Sequence, residues 1–316
     1  MRSAIPLAAA AAGLFALAGA AGAQPAPTEI PVSRWGAEDE IGAANHLSPA
    51  KVLEAMRLVT TGKTYALGIP VDRGTPAFPP RSIAVTVMAP NQPEGVTFGS
   101  NKMSYLDDMV TGWLGVGTQI DGLAHLGTDS TFYNRNRMKD IFDTTGVKKL
   151  GVHKIPPIVT RGVLLDVAKA KGKERLVEGD LVTVDDIKAA ETAAGVSPGK
   201  GDVVVLHTGW LSMLGEDAKR FGAGEPGIDA EGARYLASKE VVAVGADTWG
   251  IEAVPFRGDR VWEGHQILLA HNGIYILETL DTRGLIRDGV KEFLFVLGAP
   301  RYTGSIQAII NPVAIR

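Results

Sequence analysis

The sequence predicts an α/β protein in a single domain, with mixed sheet layers and flanking helices, and three observations carry that expectation. Short, near-continuous apolar runs rich in β-branched residues, such as Val203-Val204-Val205-Leu206, have the pattern of strands covered on both faces. These runs alternate with amphipathic segments of helical length, which a layered α/β architecture requires. The chain of 316 residues, 45% apolar and 21% charged, also contains no internal repeat and no linker that would divide it after residue 33.

In chain order, Ile5 to Ala21 is an apolar run that ends in the small residues Ala21-Gly22-Ala23. It reads as a secretory signal peptide over 1–23, cleaved after Ala23, followed by a Pro-containing linker over 24–32. The domain then occupies 33–316, and the mature protein is expected to be periplasmic or secreted. No later stretch approaches the roughly 18 uninterrupted apolar residues of a spanning helix, so no membrane association is expected after cleavage.

Ser48-Pro49 caps a helix over 50–60, in which Val52, Leu53, Met56 and Val59 fall at helical spacing. Strands follow over 63–70 and 81–89, separated by a Pro-rich stretch around Pro76, Pro79 and Pro80. Strands over 161–167, 202–208, 241–246 and 273–280 alternate with helices over 183–194 and 229–238. Asp185 and Asp186 stand in the first turn of the 183–194 helix, where an acidic group complements the helix dipole.

Composition removes several chemistries. Cysteine is absent, which excludes thiol catalysis, disulfides and thiolate-bound zinc. With 32 basic and 35 acidic residues, the chain lacks the charge excess of a nucleic-acid binder. There is no Gly-Xaa-Ser-Xaa-Gly elbow, no phosphate-binding loop and no His-Glu-Xaa-Xaa-His pair. Gly222-Ala223-Gly224-Glu225-Pro226-Gly227 matches a dinucleotide fingerprint in spacing, but it follows a charged stretch rather than a strand and reads as a loop.

What remains is Gly115-Val116-Gly117-Thr118-Gln119-Ile120-Asp121-Gly122-Leu123-Ala124-His125. If extended, it places Gln119, Asp121, Leu123 and His125 on one face. Gln, Asp and His beside Leu are unusual on a face that simply meets water. Further on, Glu278 shares a strand face with Ile274 and Ile276, which puts a carboxylate on a core face. Burying it costs several kcal/mol unless it is paired or bound to a cation. His265 is a candidate partner through a shared metal. His46 and His153 read as surface residues, His207 as a core-edge residue, and Asp247 as either a site residue or a cap.

At these residues the sequence resembles the cyclase family of metal-dependent hydrolases, the kynurenine formamidase and isatin hydrolase group. Its signature is His-Xaa-Gly-Thr-His-Xaa-Asp-Xaa-Pro-Xaa-His. Gly117-Thr118, Asp121 and His125 match in register, and the similarity continues through Arg161 to Asp166, Thr208-Gly209-Trp210, Gly245-Ala246-Asp247, and His265 to Leu269 and Glu278. The resemblance implies a swivelling β/β/α-like domain that hydrolyses an amide C–N bond with metal-activated water. It also implies a homo-oligomer acting on a small-molecule substrate.

Carried over by position, Asp121, His265 and Glu278 are metal ligands, and His125 is the general base or proton shuttle. Gln119 stands at a ligand position where the signature has histidine, Gly115 replaces another histidine, and Leu123 replaces proline. The Gly-Thr-Gln-Xaa-Asp-Gly-Leu-Xaa-His form resembles a longer-chain branch of the family. An oxygen-rich set of this kind favours Mn²⁺ or a single Zn²⁺. Trp113, Phe132, Tyr133, Trp249 and Trp262 lie near the motif segments and are candidates to line an apolar pocket. Ester or lactone hydrolysis at the same centre and metal-free small-molecule binding remain the alternatives.

Overall fold

A computed structural model of the chain describes residues 29–89 and 97–316. The expected signal peptide and most of the linker lie outside the described residues. Among these residues no helix is long and apolar enough to cross a membrane.

The elements that build the domain are helix α1 (Pro49–Met56), strands β1 (Thr64–Ala66), β2 (Ile83–Met88), β3 (Asp107–Gly112), β4 (Gln119–Asp121) and β5 (Ile158–Asp166), helix α2 (Val184–Ala194), strand β6 (Val203–His207), helix α3 (Ala230–Ser238), and strands β7 (Ala243–Ala246), β8 (Tyr275–Glu278), β9 (Glu292–Leu297), β10 (Gln307–Ile309) and β11 (Val313–Ile315). Nine of the strands form one mixed sheet in the order β1-β11-β9-β5-β6-β7-β8-β4-β10. Its centre, β5-β6-β7-β8, is parallel, and β4 and β10 extend it antiparallel beyond β8. That centre explains the apolar runs. Val203 to Leu206 and Ala243 to Ala246 are buried along their whole length, as strands covered on both sides must be.

The connecting helices follow their sequence signals. Thr183 and Asp186 form a reciprocal capping box at the start of α2, and the Asp229 side chain accepts from Gly232 N at 2.7 Å at the start of α3. Helix α1 departs from expectation in length and in seating. It ends at Met56, and Leu53, Met56 and Val59 are exposed while Ala55 is buried. The helix is anchored by that small residue and by the ion pair from Lys51 to the buried Asp202 at 3.0 Å.

Asp247, just beyond β7, is structural. It accepts hydrogen bonds from Thr208 N at 2.8 Å, Thr208 Oγ1 at 2.6 Å and Gly209 N at 2.8 Å, and lies 3.2 Å from His207 Nδ1. It thus fixes the turn after β6, and its charge holds the His207 imidazole above its ordinary value although burial opposes this. Asp247→Ala would strand two buried N–H groups and a histidine charge. The expected loss is about 3 kcal/mol of unfolding free energy in a urea titration.

Candidate metal centre

The sheet register builds the centre. Across the β8–β4 pair, Glu278 stands opposite Gln119 and Ile276 opposite Asp121, while across β4–β10 Gln307 stands opposite Asp121. Directly opposed residues share a face, so Gln119, Asp121, Glu278 and Gln307 project from one side of three adjacent strands. Ile120 points the other way, into the core, and is fully buried. His265 reaches the same side from a short helical turn, Glu263–His265, that continues as the π-helical segment Gln266–His271.

Asp121, His265 and Glu278 are all buried, and one ligand-type atom from each lies within 4.8 Å of the others. His265 Nε2 is 3.3 Å from Glu278 Oε1 and 3.7 Å from Asp121 Oδ2. That Oδ2 is buried with no hydrogen-bond partner among the described residues, although Asp121 Oδ1 accepts from Gln307 Nε2 at 2.7 Å. An orphaned carboxylate oxygen facing an imidazole nitrogen and a second carboxylate fits a divalent cation, and the O, O, N donor set suits a borderline-hard ion.

Gln119 is part of this group through its amide nitrogen, which donates to Glu278 Oε2 and lies 3.5 Å from Asp121 Oδ1. In this orientation it holds the two carboxylates in place and turns its carbonyl oxygen away from them.

His125 arrives by a different route from the one its spacing predicts. The extended segment stops at Asp121, because the chain turns at Gly122 with His125 N bonded to Gly122 O at 3.0 Å. Leu123 consequently points into the core rather than sharing a face with His125. The turn still delivers the imidazole, with His125 Nε2 3.8 Å from Asp121 Oδ2. Burial lowers its proton affinity, Asp121 opposes this, and the charges of His265 and Arg81 add to the lowering. His125 is therefore a neutral base at neutral pH.

Its two neighbours at the centre, Glu278 and His265, are both shifted upward, for different reasons. Burial and the Asp121 charge push Glu278 up to about 7, against the pull of His265. Burial would depress His265, but its hydrogen bonds to Glu252 and Glu278 outweigh it and raise it to about 10. Glu252 Oε1 sits 2.7 Å from both His265 Nδ1 and His265 N, so it fixes the ring and leaves Nε2 toward Asp121 and Glu278. Glu225 lies deeper still. Burial first and the Glu278 charge second hold it well above the ordinary carboxylate range, while one oxygen accepts from Trp249 N. Glu252→Gln is expected to weaken metal affinity about 10- to 100-fold, measured by competition with a chromogenic chelator.

Sequence reasoning misses Gln307, Glu252, Glu225, Arg81 and Phe78. The first two carried a readable signal, a polar residue inside the apolar runs Ile306 to Ile310 and Ile251 to Val254, the same sign that exposes Glu278. Glu225 hides in the glycine-rich segment read as a loop, of which Gly222 and Ala223 close a short helix (Ala218–Ala223) and Gly227 opens a short strand (Gly227–Ile228), leaving only 224–226 between them. Arg81 and Phe78, in the Pro-rich stretch, look like surface residues.

A cavity of about 180 Å³ opens onto the centre, lined by Phe78, Arg81, His125, Trp249, Trp262 and Glu278 among others. Trp113 and Phe132 line a second, larger cleft of about 580 Å³ on another side of His125. Tyr133 lines neither of these two; its hydroxyl donates to Asp39 at 2.6 Å. At Gly115, where the signature carries histidine, a Cβ would come within 2.6 Å of Gln307 Oε1 and 2.8 Å of Arg81 Nη1. That space is filled.

Residues 65–253 match the model of the putative cyclase family, and the chain belongs to that family. Among solved structures, one described as a novel cyclase shares 28% identity over 90% of this chain and 98% of its own, with a TM-score of 0.82. An isatin hydrolase bound to the product analogue thioisatinate has a similar fold at 19% identity, covering 85% of this chain and 98% of that one, with a TM-score of 0.61. A potential metal-dependent hydrolase with cyclase activity aligns at 22% identity over 80% of this chain and 98% of its own, with a TM-score of 0.52. No curated protein sequence matches the chain significantly.

Proposed function

We propose that this protein is a metal-dependent hydrolase of an amide C–N bond in a small aromatic substrate, a formamide or a cyclic amide. The observation that carries the reading is the buried Asp121–His265–Glu278 triad, with its orphaned Asp121 oxygen, beside the neutral base His125 at the floor of an aromatic-lined cavity. The similarity in fold to an isatin hydrolase and to a potential metal-dependent hydrolase supports it.

In this reading Asp121, His265 and Glu278 hold one divalent ion, Mn²⁺ or Zn²⁺, and Gln119 orients the two carboxylates. When bound there, such an ion would supply acidified water and Lewis-acid assistance to a carbonyl. His125 takes the proton released as water adds to the carbonyl carbon and returns it to the leaving nitrogen. Phe78, Trp249 and Trp262 shield the reacting bond from bulk water and pack the substrate ring. The signal-like start of the sequence supports action outside the cytoplasm, and the family likeness supports a homo-oligomer.

The test is elemental analysis of the purified mature protein, followed by turnover of formanilide before and after chelation. About one equivalent of Mn or Zn, with hydrolysis lost on chelation and restored by the ion, supports the reading. Ester or lactone turnover without amide turnover would move the reaction to a C–O bond. Absence of metal even after reloading would leave a small-molecule binding protein.

A further inference from the structure

The cavity over the metal centre carries a charge that the hydrolytic chemistry does not use. Arg81 lines it, half-buried, on the side formed by the Pro-rich stretch. A guanidinium offers five N–H donors. Among the described residues, the Arg81 guanidinium makes one hydrogen bond, from Nη1 to the Gly115 carbonyl at 3.3 Å, and no ion pair. Asp121 and Glu278 already match the charge of a divalent ion between them; the Arg81 charge reaches Glu278 and His125 only through space, which leaves most of its N–H donors for a ligand.

Its surroundings select the shape of what it would meet. The rings of Phe78, Trp249 and Trp262 stand 6.1 to 6.2 Å apart, centroid to centroid, and form one continuous aromatic wall. The Arg81 Cζ lies 6.0 Å from the Phe78 centroid, beside that wall. The cavity volume of about 180 Å³ is close to the roughly 150 Å³ of an engineered cavity that holds benzene, so its size suits a single aromatic ring. A guanidinium in partly apolar surroundings binds a carboxylate through charge-assisted, often bidentate hydrogen bonds.

We propose that Arg81 is the recognition residue for an anionic group on the substrate, which makes the preferred substrate a single-ring aromatic amide bearing a carboxylate. The ring packs on Phe78, Trp249 and Trp262, the carboxylate engages Arg81, and the amide lies over the triad. For the bond that reacts, this assignment rests on the hydrolase reading above. The anion subsite itself is tested separately.

Two measurements separate them. Benzoate and benzamide are titrated into the metal-loaded protein with tryptophan fluorescence as the readout, since Trp249 and Trp262 line the cavity. Benzoate is expected to bind at least about 10-fold more tightly than benzamide. Arg81→Gln should remove that preference, and Arg81→Lys, which keeps the charge and loses the fork, should retain part of it. Second, kcat/KM is compared for formanilide and the three formamidobenzoate isomers. At least one isomer should exceed formanilide by about 10- to 100-fold in the wild type, with the ratio collapsing in Arg81→Gln.

If benzoate keeps its advantage in Arg81→Gln, the metal alone holds the anion and the assignment falls. It also falls if the wild type binds benzamide as tightly as benzoate. Should Arg81-dependent benzoate binding appear without turnover of any anilide, the subsite stands and the amide-hydrolase reading fails. Turnover without charge preference gives the reverse. Should Arg81→Gln fail to fold, as judged by its unfolding midpoint, Arg81→Lys and the wild-type benzoate–benzamide ratio still decide the outcome.

Discussion

Asp121→Ala is expected to empty the metal centre and lower turnover on the order of 1000-fold. Asp121 stands in the middle strand of the three that form the site, with Oδ1 held by Gln307 and Oδ2 presented free to the centre. Removing it takes away one of two carboxylates and leaves the Gln307 amide and two imidazoles facing a void. Loss of a cation's stabilisation of the developing charge is worth several kcal/mol of barrier, which sets the size of the effect. Elemental analysis should report metal at background, and the unfolding midpoint should show that the fold survives. Retention of a full equivalent of metal in Asp121→Ala would remove this residue from the ligand set. Glu278→Ala should behave alike, because it contributes the second carboxylate from the neighbouring strand.

His125→Ala should separate the two functions of the site. The imidazole is 3.8 Å from Asp121 Oδ2, outside the triad itself, and a turn rather than a strand delivers it. Metal content should therefore stay near one equivalent while kcat falls about 10²- to 10⁴-fold, the usual contribution of a positioned acid–base group. Because the group is lowered below the ordinary histidine value, the wild-type rate should remain on its plateau down to pH values below about 6.5. An undiminished kcat in His125→Ala would take the proton-transfer role from this residue.

The parallel centre of the sheet was legible because its strands are buried on both faces, which leaves only apolar side chains in the runs around Val204 and Val244. Glu278 stood out for the same reason, as a carboxylate where the pattern demands hydrocarbon, and Asp121 because Gln, Asp and His beside Leu are unusual on a face that simply meets water. Periodicity overreached at Leu123 and His125, since a glycine at 122 can end a strand as easily as continue it, and the alternation of side chains ends with the strand. Gln307 was hidden by distance, reaching Asp121 from 186 residues further along the chain. Helix α1 shows the converse limit: its apolar positions have helical spacing, yet which face a helix buries depends on what packs against it, and here that is the side holding Ala55.

The crowding at Gly115 has an evolutionary consequence. The volume that a side chain there would need is held by Gln307, which also grips Asp121, and by Arg81. Drift at position 115 is therefore conditional on what stands at 307 and 81, and drift at 307 disturbs a ligand as well as a space. Three positions far apart in sequence are thus coupled through space: a side chain at 115 would have to displace the ends of Gln307 and Arg81.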